Sequence, residues 1–383
     1  MAKNKNKGKK FGLLLSGKFD IVLIIVTILL LCIGLIILLS ASAPTALAED
    51  IEEANSYKYV SKQAIVAVIG FFCFTLPLSK IDYRIYRKLK WLIYVVCIVL
   101  LIVVGLTGME EGGGRRWIRI FGFSFQPSEL TKYVVVLFLA LSIDIKGDGI
   151  KDFWTGIVPY LGLSGFFAAL VLAEKNLSIA AIIMIVTFIL LFISGGKIKH
   201  LFGIVLPGLL TLAIFFIFSS DYRRARMLNF IDPWKDAAGD GYQLIQSFYA
   251  LGSGGITGLG LGQSRQKTLY MPEPHNDFIF SIIGEELGLI GCLIIISLFI
   301  IFIWRGVRIA IKAKDTYGKL LAMGITSIIA VQAIINIAVV TGSMPVTGVP
   351  MPFISYGGTS LVINLTAMGI LLNISRQIES DVR

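Results

Sequence analysis

Apolar runs of about 20 residues return from one end of this chain to the other. At 1.5 Å per helical residue each is long enough to cross a hydrocarbon core of roughly 30 Å. Of 383 residues 56% are hydrophobic and only 15% charged, too apolar a balance for one water-soluble core. Inside lipid every backbone N–H and C=O must be paired within the protein, which leaves helices or a closed barrel. Barrel strands would read as short alternating segments, and these runs do not alternate. The fold class is therefore all-α, a polytopic membrane protein of about ten transmembrane helices, near 20–42, 58–79, 89–108, 127–145, 153–173, 176–194, 199–219, 276–304, 317–342 and 353–375.

An even count places both termini on one side. The Lys-rich tail, the short loops 80–90, 146–151, 197–199 and 305–319, and the C-terminus then share that side and carry most of the 35 Lys and Arg. Positive charge marks the cytoplasm, so the net +11 reads as topology, and no nucleic-acid partner is expected. The first apolar run, followed by Ala-Ser-Ala-Pro, resembles a secretory signal, but it exceeds the usual ~7–15 residues of such a core and is expected to stay as a span. The organisation is a basic cytoplasmic tail at 1–19, a membrane domain at 20–375 with a large extracellular loop at 220–275, and a cytoplasmic tail at 376–383. Cys32, Cys73, Cys97 and Cys292 lie in apolar runs without paired spacing, and His200 and His275 fall on opposite sides. Neither a disulfide framework nor a histidine metal site is expected.

Some cations break the charge rule. Arg115, Arg116 and Arg119 sit in the second outward loop, and Arg223, Arg224, Arg226, Lys235, Arg265 and Lys267 in the fourth. Headgroup anchoring accounts for them, and so does an anionic ligand held by Arg forks. In the long loop, 242–251 has the pattern of a short interfacial helix stopped by glycine. The glycines from Gly252 to Gly262 fit either a ligand cradle or a flexible hinge; no nucleotide-binding fingerprint accompanies them.

The acids narrow the choice. Asp277 stands where polar loop gives way to apolar helix, in Pro272-Glu-Pro-His-Asn-Asp-Phe, and an acid at a membrane edge is a functional candidate by default. The competing reading is a helix cap, a task Asn276 can also perform. Ser281, Gly284 and Gly288 would share its helix face, with Glu285 and Glu286 turned toward neighbouring helices. Glu129 and Lys132, three apart on one face, form either a packing ion pair or part of a site. Glu174 and Lys175 mark a tight outward turn, and the Pro/Gly-rich stretch 344–360 suits irregular backbone that is packed in protein or lines a cavity.

Four groups of residues then resemble one family: Gly113-Gly-Arg-Arg-Trp-Ile with Phe125-Gln-Pro-Ser-Glu-Leu-Thr-Lys; Asp232-Pro-Trp with Gly241-Tyr-Gln; the Pro272 motif with Gly284-Glu-Glu-Leu-Gly; and Pro345-Val-Thr-Gly with Ile354-Ser-Tyr-Gly-Gly. In order and nearly end to end, they resemble the SEDS family of FtsW, RodA and SpoVE, with wording nearer FtsW or SpoVE. The resemblance implies a peptidoglycan glycosyltransferase that polymerises lipid II at the outer face of the bacterial plasma membrane, serving division or sporulation. It implies a class B penicillin-binding transpeptidase and other divisome or elongasome membrane proteins as partners. It implies Asp277 as the essential acid, with Arg116, Trp117, Glu129 and Lys132 in the site. Where the family usually reads Glu-Pro-Asp-Leu-Gly this chain has Glu174-Lys-Asn-Leu-Ser, so Asn176 is given no catalytic role.

The expected reaction has Asp277 as general base, with Arg116, Lys132, Arg223 and Arg265 steadying the departing diphosphate. Lys267, His275 and Ser355 complete the candidate substrate-binding set. No cofactor is expected, and nothing in the sequence supports a divalent cation (Mg or Mn). The competing classes are a lipid II flippase, since transporters also bury polar groups, and a non-catalytic scaffold for the transpeptidase.

Overall fold

The computed structural model describes residues 18–49, 55–111, 114–120, 123–219, 221–239, 241–268 and 270–379. Most of the two tails, the acidic residues 50–54 and the side chain of Arg223 lie outside what is described. Among the described residues eight helices are long and apolar enough to cross a membrane: α1 (Ile21–Glu49), α2 (Lys58–Leu78), α3 (Ile85–Thr107), α5 (Phe153–Ala173), α7 (Ile198–Phe218), α10 (Ile279–Lys312), α11 (Thr316–Val340) and α12 (Gly358–Ile378). Two further helices align with expected spans. These are α6 (Leu177–Ile193), which is shorter, and α4 (Pro127–Lys146), which carries Glu129, Lys132, Asp144 and Lys146. In the long loop stand α8 (Asp221–Ile231) and α9 (Tyr242–Gly254).

α11 and α12 are largely enclosed, whereas α7 turns Leu210, Phe215 and Phe218 outward. In water such an apolar surface would drive aggregation; toward hydrocarbon it is the lowest-energy arrangement. Two ends of the bundle can be distinguished by their ion pairs. Arg305 holds Asp20, Arg84 holds Asp315 and Arg87 holds Asp144, which gathers the loops expected to be cytoplasmic at one end.

The sequence reading needs several corrections. A three-stranded antiparallel sheet, β1 (Met109–Glu111), β2 (Gly114–Ile120) and β3 (Phe123–Phe125), adds strands to the all-helical bundle. Trp117 faces Met109 across it, and Ile118 pairs Phe125. The last helix begins at Gly358, five residues later than expected, because 350–357 is extended or turning backbone with Phe353 at φ 66°. The predicted loop helix continues through its glycines to Gly254.

α10 is broken at Gly288, whose φ of 66° and ψ of −165° interrupt the helix. The released backbone groups pair with the glycine-rich loop: Leu259 N–H donates to Glu285 O, Gly260 N–H to Glu286 O, and Leu289 N–H to Gly255 O. A Cβ on Gly288 would stand 2.3 Å from Gly258 N. Gly254 and Gly258 therefore act as a backbone wedge against α10, and the face expected to join Asp277 with Ser281, Gly284 and Gly288 is not continuous.

Candidate functional site

Asp277 sits two residues ahead of α10, and it is not a cap. The residue before the helix is Phe278, with no side-chain capping bond, and Asn276 donates its Nδ2 to Glu273 Oε2 instead. Asn336, buried on α11, donates to Asp277 O and to Val349 O, both at 2.8 Å. That one amide pins the acid beneath the loop between α11 and α12. Gly348 lies over the carboxyl: a Cβ there, at φ 68°, would come within 3.2 Å of Asp277 Oδ2. A side chain at 348 would be strained and would crowd the acid.

The carboxyl of Asp277 is half-buried, and among the described residues no donor hydrogen-bonds it. Burial pushes its pKa up to about 6, the nearby negative charge of Glu273 adds to the rise, and Arg226 opposes it. A carboxylate deprived of water and donors is a stronger base than a free one. It is also mostly ionised at neutrality while still a good proton acceptor, which suits general-base work.

Three walls surround it. On one side Tyr59 and Tyr356 flank the His275 ring at 4.6 and 5.8 Å between centroids. His275 is buried with Nδ1 unpartnered, and burial lowers its pKa despite Glu273 and Glu49. On a second side Arg226 of α8 donates Nη1 to Val346 O at 3.3 Å, beside a cavity of ≈ 270 Å³. On the third, Ser178 of α6 donates to Thr347 O. Asn176 caps α6 by accepting from Ile179 N–H, which gives that substituted position a structural task.

The turn before α6 brings in Arg116. Its Nε donates to Glu174 O at 3.3 Å and its Nη2 to Lys175 O at 2.6 Å, joining β2 to the outward turn. Glu174 itself is 1% exposed with neither carboxyl oxygen hydrogen-bonded. Burial pushes its pKa up to about 8, against the Ser128 hydroxyl and the Arg116 charge.

The remaining candidates divide. Lys132 and Glu129 form a buried ion pair at 2.9 Å, and Trp117 is half-buried on β2. Lys267 is committed elsewhere, to Glu286 and Ser40, both at 2.7 Å. Arg265 is exposed and uses its backbone N–H on Glu285. Ser355 Oγ accepts from Met351 N–H, so it orders its own loop. Among the described residues no group of three or more His, Cys, Asp or Glu is arranged for a metal ion. Asn336, Gly348 and the particular choice of Arg226 escape sequence reasoning. The one available signal was helical spacing in 221–231, which sets Arg226 on the opposite face from Arg224, two positions away.

An apolar helical bundle with poorly satisfied acids collected under the loops of one end is a multi-pass membrane protein with a reactive face. The family whose members are described as "Cell cycle protein", that of FtsW, RodA and SpoVE, matches residues 20–380, and the chain belongs to it. Among its relatives is stage V sporulation protein E of Bacillus subtilis, 43% identical over 93% of this chain and 97% of that protein. Another is a probable peptidoglycan glycosyltransferase FtsW of Geobacter sulfurreducens, 39% identical over 94% and 96%. A solved chain from a peptidoglycan synthase complex that coordinates polymerization and crosslinking is 25% identical, with a TM-score of 0.75 over 95% of this chain and 99% of that one. The rod shape determining protein RodA of Thermus thermophilus shares the fold, at 23% identity and a TM-score of 0.66 over 95% and 98%.

Proposed function

We propose that this chain is a peptidoglycan glycosyltransferase that joins lipid II molecules at the outer face of the plasma membrane. Both termini lie in the cytoplasm, and a class B penicillin-binding transpeptidase works beside it. The observation that carries the reading is the Asp277 carboxyl: recessed, without a hydrogen-bond donor among the described residues, and pushed up to about 6. In the reaction the acceptor sugar's 4-hydroxyl gives its proton to Asp277 as its oxygen bonds to the donor's anomeric carbon. The anomeric carbon–phosphate oxygen bond breaks, the electron pair leaves on undecaprenyl diphosphate, and the α-linkage inverts to β. Arg116 offers positive charge for that leaving group, where a preorganised cation acts most strongly in low dielectric, whereas the buried Lys132 is already neutralised by Glu129.

The test uses the full chain in lipid nanodiscs with and without such a transpeptidase, given fluorescent lipid II. Glycan polymer from the wild type and none from Asp277→Asn supports the proposal. Lipid translocation without polymer, or polymer made equally by the variant, overturns it.

A further inference from the structure

Beside Asp277, the cavity of ≈ 270 Å³ has a lining no role above accounts for. Asn229 and Phe230 come from α8, Tyr242 and Gln243 from α9, and Arg226, whose charge acts on Asp277, joins them from α8. Pro272 and Val346 close it. Pro272 belongs to the segment that ends in Asp277, and Val346 precedes by two residues the glycine that lies over its carboxyl. Two of the segments that close the cavity therefore run on directly to the carboxyl and to the glycine above it.

We propose that this cavity seats the terminal N-acetylated sugar of the glycosyl acceptor, an inference that rests on the glycosyltransferase function above. A pyranose presents an apolar ring face and a rim of hydroxyl and amide groups, each both donor and acceptor. The lining matches that pattern: two primary amides and a phenol supply donors and acceptors together, and two aromatic rings supply flat apolar area. A diphosphate would call for several cations, and the lining has one, whose field Asp277 already shares. The volume admits a sugar and excludes a polyprenyl tail. Because the base must reach the attacking hydroxyl, the sugar against it is the acceptor's, which leaves the donor to the opposite flank near Arg116.

The experiment compares wild type, Asp277→Asn, Asn229→Ala and Gln243→Ala, as full chains in nanodiscs with the transpeptidase. One readout is binding of the soluble N-acetylglucosamine–N-acetylmuramic acid disaccharide by saturation-transfer NMR. The other is the steady-state dependence of polymerisation on acceptor concentration. The disaccharide signal is expected to persist in Asp277→Asn and vanish in the two amide variants. In those two the acceptor KM should rise about tenfold or more with kcat within about twofold, the mark of lost ground-state binding. Gln243→Glu, of equal length, replaces the alanine variant if that one melts early. Polymer formation with unchanged binding and KM in both variants ends this inference and leaves the glycosyltransferase reading standing. Disaccharide binding lost in the variants, from a wild type that makes no polymer, supports the pocket and ends the enzymatic reading instead.

Discussion

Where α10 hands over to α11, Asp315 accepts from Gly318 N–H at 2.7 Å, Tyr83 Oη at 2.9 Å and Arg84 Nε at 2.9 Å. At the opposite end Asp277 and Glu174 accept from no donor among the described residues. Burial works to raise Asp315, yet the backbone bond, Arg84 and Tyr83 together hold it below the usual carboxylate range. Burial meets little resistance at Asp277 and Glu174, which rise to about 6 and about 8. The first arrangement is a joint that fastens helices, since charge-assisted bonds and a helix cap both stabilise it. The second costs folding energy, and raised acids gathered at one face are where a catalytic or binding site is expected.

The comparison breaks most visibly at Asp277. Asp277→Asn should cut polymerisation by about 10²–10⁴, the usual worth of a general base, without lowering the melting temperature. In the wild type the ionised form is the active one. As its pKa is raised to about 6, kcat/KM should climb about tenfold per pH unit below that value and level off above it. A profile flat from pH 5 to 8 would remove Asp277 from the role.

Next in size is the buried pair. Lys132→Met leaves Glu129 charged and alone, a change that typically costs about 3–5 kcal/mol. Denaturant unfolding should show that loss, and the double variant with Glu129→Gln should recover most of it. Lost polymerisation at full stability would instead assign the pair to substrate. At the satisfied end, Asp315→Asn removes the charge facing Arg84 while keeping a cap, for about 1–2 kcal/mol. It should leave the pH profile of activity where it was; a displaced profile would mean the two ends are coupled.

How much of this was legible follows from the range over which each signal acts. The spans could be read because lipid demands a long apolar run, and that demand is local in sequence. The motif around Asp277 was legible for the same reason. Helix ends were harder: α10 runs on to Lys312, past Trp304 and Arg305, because a helix continues beyond the hydrocarbon wherever its interfacial face still packs. The sheet at 109–125 was hidden by glycines and doubled arginines that suggest a loop, although Arg116, Trp117 and Ile118 suit a strand. What sequence could not give is convergence. Asn336 reaches Asp277 across 59 positions and Arg226 reaches Val346 across 120, and no local pattern announces such a meeting. Lys267 is the converse case, since its charge was visible and its partner Glu286 was not.

At Glu174 the sign of the effect separates the two ends. Its pKa in the folded protein, about 8, stands above the ordinary 4.5, so the folded state holds a proton that the unfolded chain releases. Stability from this group is complete below about pH 4.5 and is lost as pH rises through about 8. Melting of the wild type should therefore weaken across that window, while Glu174→Gln, which mimics the protonated acid, should weaken less and melt a few degrees higher at pH 8. Asp277 contributes equally to both curves, so their difference isolates Glu174. Two parallel curves would show that water or lipid headgroups already solvate the acid. A flattened curve accompanied by lost polymerisation would mean that the proton on Glu174 serves the reaction, extending the reactive face from Asp277 across the loop to the Arg116 side.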